Sequence, residues 1–215
     1  MRAHKAFRQL ANLLSRKGYT VMRFDYPGTG DSYGDGKNIG YNEWLKEAQS
    51  ALDFLKSVTN LDSIHVIGLR LGALVAAELA IKNSCIKNLV LWDPIANGAS
   101  YIQDCTAQRS DPLPEPNDTW NIHGYPLPKI FREQVLSSNI ENMTFPETVN
   151  IIQMLSHENH DTKMIQRTHD KQVTQKVIGP ASDWNFVDMV GSILMPTTLI
   201  QNIVSTLTNI QEKAS

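Results

Sequence analysis

Five residues set the chemical question, Gly68-Leu69-Arg70-Leu71-Gly72. They follow a short β-rich run, Ile64-His65-Val66-Ile67, and open an almost wholly apolar stretch that runs from Leu71 to Ile81. A strand, a Gly-x-x-x-Gly turn and a buried helix form the setting in which an enzyme lifts a nucleophilic side chain onto a sharp elbow. The glycines have a steric reason, since so tight a turn leaves little room for side chains against strand and helix backbones. The central residue here is Arg70. A guanidinium has no nucleophilic atom at neutral pH and stays protonated in a protein. Serine-type acyl transfer from this position is therefore excluded. Taken alone, the five residues also fit a plainer role, in which Gly68 and Gly72 only let a helix pack on a strand. The flanking strand and helix favour the elbow.

The partners of such an elbow follow in the order nucleophile, acid, histidine. The acid belongs after the strand that ends at Leu155, where Glu158, Asn159 and Asp161 stand. The histidine belongs near Gly179-Pro180-Ala181-Ser182-Asp183-Trp184, but no histidine follows His169. The general base is thus missing from its expected loop. Ser32 and Ser156 are the substitute nucleophiles, and neither sits on an elbow. Arg70, at a helix N-terminus, needs a carboxylate partner or an anionic ligand, because the dipole and burial both disfavour a lone cation. Asp93 is the first candidate partner, a permanent Arg70–Asp93 bridge being the plain reading, and Glu158 and Asp31 come next. Leu69, Arg70 and Asp93 are the candidate ligand contacts, and Asp93 and Glu158 the candidate acids.

Other polar clusters point less far. His157 and His160 flank Glu158, and His169 lies beyond, but the spacing matches no zinc signature, so a polar loop is expected and no metal or cofactor is called for. His65 alternates with apolar residues and reads as a satisfied core histidine. Pro27-Gly28-Thr29-Gly30-Asp31-Ser32 lacks the lysine of a phosphate loop and reads as a rim turn, with Asp31 or Ser32 capping the next element.

The elements that must hold these residues alternate. Phe7, Leu10, Ala11 and Leu14 repeat at helical spacing before Gly18. Residues 20–25 are β-rich, and 41–58 carry Trp44, Ala48, Ala51 and Leu55 on one stripe. Strands are expected at 20–25, 64–68, 88–93, 149–155 and 173–178 as adjacent members of one sheet, with 64–68 in its interior. A helix fills 71–82, and another closes the chain over 191–209, with Pro196 near its start. Right-handed crossovers make this a mostly parallel sheet with helices on both faces. The stretch 101–147 holds most of the chain's ten prolines and little periodicity, so it is expected as a cap excursion above the sheet within a single domain, 1–215.

The totals set outer limits. With 215 residues, 41% hydrophobic and 20% charged, the chain is long enough for one well-buried core. A net charge of -2 with interspersed signs leaves no footprint for nucleic acid. No apolar run reaches membrane-span length, and Met1 to Phe7 lack the apolar core of a signal peptide, so a cytoplasmic protein is expected. Cys85 and Cys105 make no disulfide framework.

Phe24-Asp25-Tyr26-Pro27-Gly28-Thr29-Gly30-Asp31-Ser32 resembles the strand-and-turn signature of serine-aminopeptidase-like α/β-hydrolases. A nearer likeness is to a bacterial subgroup known as exosortase A system-associated hydrolases. It rests on Arg2-Ala3-His4, Gly68-Leu69-Arg70-Leu71-Gly72-Ala73, Leu91-Trp92-Asp93-Pro94 and, in the cap, His123-Gly124-Tyr125-Pro126-Leu127. Gly179-Pro180 with Trp184 resembles the segment where that subgroup also lacks the histidine. The resemblance implies an α/β-hydrolase fold and a hydrolase label. It also implies N-terminal strands and an oxyanion loop ahead of the first helix; the sequence as given opens directly on that helix, so either a fragment or an internal Met taken as the start is expected. Two functions compete. One is a pseudo-hydrolase that binds a small-molecule acyl, peptide or glycan intermediate, or a partner protein, without turning it over. The other is an ester, thioester or amide hydrolase, or an acyltransferase, with an unconventional site.

Overall fold

The computed structural model describes residues 2–59, 61–107, 118–122, 125–179 and 196–214. Helix α1 (Arg2–Arg16) is followed by a turn region, a short 3-10 turn at Gly36–Asn38 and helix α2 (Tyr41–Thr59). Strand β1 (Ile64–Leu69), helix α3 (Gly72–Lys82) and strand β2 (Ile86–Trp92) come next. The excursion holds α4 (Gly98–Ala107), β3 (Trp120–Ile122), β4 (Tyr125–Leu127) and α5 (Lys129–Val135). The chain then returns through β5 (Asn150–Leu155), α6 (His160–Thr168), β6 (Val173–Val177) and α7 (Thr197–Ala214).

The main sheet has the order β1-β2-β5-β6, and every pairing in it is parallel. Its central strands β2 and β5 are buried on both faces and read as largely apolar runs. Leu89 and Leu91 join Ala73, Leu74 and Ala77 of α3 on one face. Val90 and Trp92 point the other way and join Leu10 and Leu14 of α1 with Leu199, Ile203 and Leu207 of α7. The period of two along each strand and of about 3.6 along each helix builds three layers. This is the expected mostly parallel α/β sheet with helices on both faces.

Two expectations fail together. Residues 20–25 form no strand, and 64–68 lie at an edge of the main sheet, not in its interior. The segment is held by side chains instead. Tyr19 and Val21 pack on the cluster of α1 and α7, and the Tyr19 ring meets His65 edge-on at 5.7 Å. Partial burial of side chains such as Val21 accommodates the β-rich composition without a backbone ladder, so composition alone over-reads it. The final helix begins after Pro196, at Thr197; the part expected at 191–195 lies outside the described residues.

The excursion leaves the sheet after β2 and packs on α2, where the Phe131 ring meets Tyr41 and Trp44. Its β3–β4 hairpin is tied to α5 by Arg132, which is buried. That guanidinium donates to the carbonyls of Asp118 and Leu127 at 2.7 and 2.8 Å and pairs with the Asp118 carboxylate at 2.9 Å. It also stacks 4.0 Å over the Trp120 ring, so the buried charge is both paired and hydrogen-bonded. A second tie is Glu78 of α3, which accepts from Tyr41 at 3.0 Å and from Ser138 at 2.6 Å.

At the start of the sheet a polar line crosses three strands. Asn150 donates to Asn88 Oδ1 at 3.3 Å, which turns the Asn88 amide N–H toward His65 Nδ1 at 2.8 Å. His65 Nδ1 must then be an unprotonated acceptor, as a satisfied, neutral histidine requires. Burial lowers its pKa from the ordinary value. As pH falls, the unfolded chain takes up this proton before the folded one, so stability should drop below about pH 6.5 and keep falling to the folded pKa. Urea midpoints at about pH 7.5 and about pH 5.5 should differ more for the native chain than for His65→Gln. Equal differences would refute the assignment.

Candidate functional site

The elbow is built as its sequence demands, with one correction. β1 ends at Leu69, Arg70 takes the left-handed region at φ 53°, and α3 starts at Gly72. A non-glycine residue there is uncommon and persists where its surroundings impose it. The Arg70 N–H donates to the Trp92 carbonyl at 3.0 Å, while its own carbonyl accepts from Ala73 and Ile95 at 3.0 and 3.2 Å. Gly68 is sterically required, because a Cβ would lie 2.7 Å from the Ala73 Cα and closer still to the Gly72 carbonyl oxygen. Gly72 is not, since nothing lies within 4 Å of a Cβ placed on it.

The Arg70 side chain is half-buried and makes no hydrogen bond or ion pair among the described residues. It lies near Tyr101 and Cys105 on α4. Burial pushes the Tyr101 phenol up, Cys105 adds to this, and the Arg70 cation pulls it partly back. Burial likewise raises the Cys105 thiol, against the Tyr101 hydrogen bond and Arg70, which lower it. Cys105 is therefore held as a neutral thiol, not as a nucleophile.

The expected Arg70–Asp93 bridge does not form. Asp93 is buried with φ 40° at the end of β2. Its Oδ1 accepts from the Ser156 backbone N–H at 2.6 Å and from the Ser156 hydroxyl at 3.0 Å, across toward β5. A backbone donor at the neighbouring strand end is fixed in place, whereas the Arg70 chain would have to be ordered over its length. The other candidates are turned away as well. Glu158 accepts from Gln175 at 2.9 Å and pairs with Lys163 at 3.6 Å, and Asp31 lies exposed in the rim turn, its N–H on Asp25 at 3.3 Å. Asn159 is the N-cap of α6, in a reciprocal capping box with Thr162. In the rim turn the cap of the 3-10 turn is Asp35, not Asp31 or Ser32.

The histidines separate cleanly. His169 is buried, its Nε2 3.0 Å from the Ile140 carbonyl and its ring edge-on to Phe145. His157 is exposed, with Nδ1 3.2 Å from the Ser156 hydroxyl oxygen. The His160 side chain and His123 lie outside the described residues. Among the described residues, no three His, Cys, Asp or Glu side chains converge as a metal-ligand set. Ser156 thus stands between a carboxylate and an imidazole, which sequence order does not suggest. Its single proton has one destination. An ionised carboxylate only accepts, so the hydroxyl donates to Asp93 and can only accept from His157 Nδ1–H. Wired this way, no imidazole among the described residues is placed to take the Ser156 proton. The signal in the sequence is a Ser-His pair directly after an expected strand; its partner Asp93 is 63 residues away.

A parallel sheet, a left-handed residue between β1 and a buried α3, and polar residues at successive strand ends together define an α/β-hydrolase fold. The model of the family described as serine aminopeptidase, S33 (Hydrolase_4) matches residues 3–176, and the chain belongs to that family. No curated protein matches the chain by sequence. Among the solved structures that share the fold are three with the following likeness. A tomato methylketone synthase I variant bound to beta-ketoheptanoate is 14% identical, with a TM-score of 0.64 over 98% of this chain and 93% of that one. Mouse alpha/beta hydrolase domain-containing protein 10 is 16% identical, with a TM-score of 0.63 over 100% and 85%. The Pyrococcus furiosus esterase Pf2001 is 16% identical, with a TM-score of 0.63 over 97% and 78%. Among the described residues, no helix is long and apolar enough to cross a membrane.

Proposed function

We propose that this chain is a pseudo-hydrolase, a non-catalytic member of its superfamily that binds an acidic group at the elbow through Arg70. Leu69 and the buried Asp93 shape the floor around it, and the excursion 101–147 serves as its cap. One observation carries the reading: the elbow keeps its left-handed geometry at φ 53° but presents a half-buried guanidinium without an ion-pair partner among the described residues. A planar guanidinium in that setting favours a carboxylate or phosphate in bidentate geometry. The ligand class is an acyl, peptide or glycan intermediate that carries such a group, in a cytoplasmic protein related to the exosortase-associated hydrolases. The hydrolase or acyltransferase reading draws on the family match and on Ser156 beside His157, but the direction of the Ser156 proton weighs against it.

A fluorophosphonate probe acylates activated serines, and labelling of this protein should stay at background. Stoichiometric labelling of Ser32 or Ser156 would overturn the proposal. Arg70→Ser should gain little or no esterase activity, since among the described residues no imidazole bonds to the Arg70 side chain and no histidine follows His169. Arg70→Met should stay folded, and its loss of binding to an acidic ligand is the expected outcome; unchanged binding counts against the role of Arg70.

A further inference from the structure

The ends of β1, β2 and β5 lie side by side. Leu69 pairs with Trp92 and Trp92 with Met154, while the Arg70 N–H reaches the Trp92 carbonyl and the Asp93 N–H the Met154 carbonyl at 3.0 Å each. Arg70, Asp93 and the Ser156-His157 pair therefore stand on three successive strand ends. First and third are two strand spacings apart, about 10 Å between backbones.

The hydrogen-bond polarity at the third position is determined. Asp93 Oδ1 takes the Ser156 proton at 3.0 Å, so Ser156 Oγ faces His157 Nδ1 at 3.2 Å as an acceptor. In that arrangement His157 Nδ1 is the donor to Ser156 Oγ, and Nε2 is the ring nitrogen left for a ligand. Such an outer-shell carboxylate and hydroxyl orient a ring and fix its tautomer.

We propose that His157 is the second ligand contact of this site, so that the site takes a two-headed acid, one anionic group on Arg70 and the other on the His157 imidazolium. This rests on the reading of Arg70 as an anion contact. Ser156 and Asp93 act as positioning residues that aim the ring. The charged and titratable groups around it are Asp93 through Ser156, Glu158 beside it in sequence, Lys163 and Asp161 on α6, and Arg70 two strands away. Glu158 is engaged by Lys163 and Gln175, so its charge is partly offset, and Asp93 is satisfied through Ser156. Protonating His157 then adds a cation where the nearest carboxylates already have partners.

Calorimetric titration of the full chain with glutarate and, separately, butyrate tests this. Glutarate should bind more tightly than butyrate, by about fivefold for one partly exposed charge pair. The ratio should collapse toward unity in His157→Gln. Ser156→Ala, which keeps the imidazole but frees its orientation, should narrow the ratio. Arg70→Met should weaken both acids. If both bind equally in an Arg70-dependent manner, or if His157→Gln leaves the ratio unchanged, the second contact is refuted and the Arg70 reading stands. If neither acid binds, or if Arg70→Met leaves both affinities unchanged, both readings fall.

Discussion

Asp93→Ala should cost the protein about 3 to 5 kcal/mol of folding stability, read as a large drop in urea midpoint. Asp93 is 5% exposed, and among the described residues its carboxylate takes the Ser156 N–H at 2.6 Å and the Ser156 hydroxyl at 3.0 Å. Removing it strands a buried backbone N–H, with a desolvation penalty of about 1 to 3 kcal/mol, and leaves the Ser156 hydroxyl with only His157 among the described residues. Alanine also tolerates φ 40° less well than aspartate does. Asp93→Asn retains one acceptor oxygen and the left-handed tolerance, so it should lose only about 1 to 2 kcal/mol. Matching midpoints for Asp93→Ala and the native chain would show that Asp93 does not hold the β2 and β5 ends together. The ordering matters for function too, because Asp93 is the anchor from which Ser156 and His157 are aimed.

The elbow glycines should behave oppositely. Gly68→Ala places a methyl 2.7 Å from the Ala73 Cα and closer to the Gly72 carbonyl, both backbone atoms of a buried helix. Neither can rotate away, so strand and helix must part, at about 3 kcal/mol or more. Gly72→Ala meets nothing within 4 Å and adds a better helix former at the start of α3, so its change should lie within about 1 kcal/mol and favour stability. Thermal unfolding of the two variants checks this. Similar losses in both would mean that the turn is tight at each glycine, as the motif alone suggests.

Much of the scaffold is legible in the sequence, because local chemistry repeats there. The spacing of Leu10 and Leu14, the apolar run of α3 and the apolar runs around Val66, Leu89 and Ile152 each mark their element. The order helix, strand, helix, strand then leaves few arrangements other than a parallel sheet. The elbow is legible for the same reason, since strand, turn and helix are contiguous. Residues 20–25 mislead because a β-rich composition reports a half-buried surface and not a backbone partner.

Residue type and order alone establish that a guanidinium, not a hydroxyl or thiol, occupies the elbow, and that no histidine follows His169. What the polar groups do is settled by the folded arrangement. Asp93 turns to Ser156 instead of Arg70 because the strand after the excursion, β5, pairs beside β2 and brings a fixed N–H within 2.6 Å. Tyr101 and Cys105 flank Arg70 because α4 folds back beside the elbow. Side-chain partnership depends on which strand ends become neighbours, and that is fixed by burial summed over the whole sheet, not by any local run of residues.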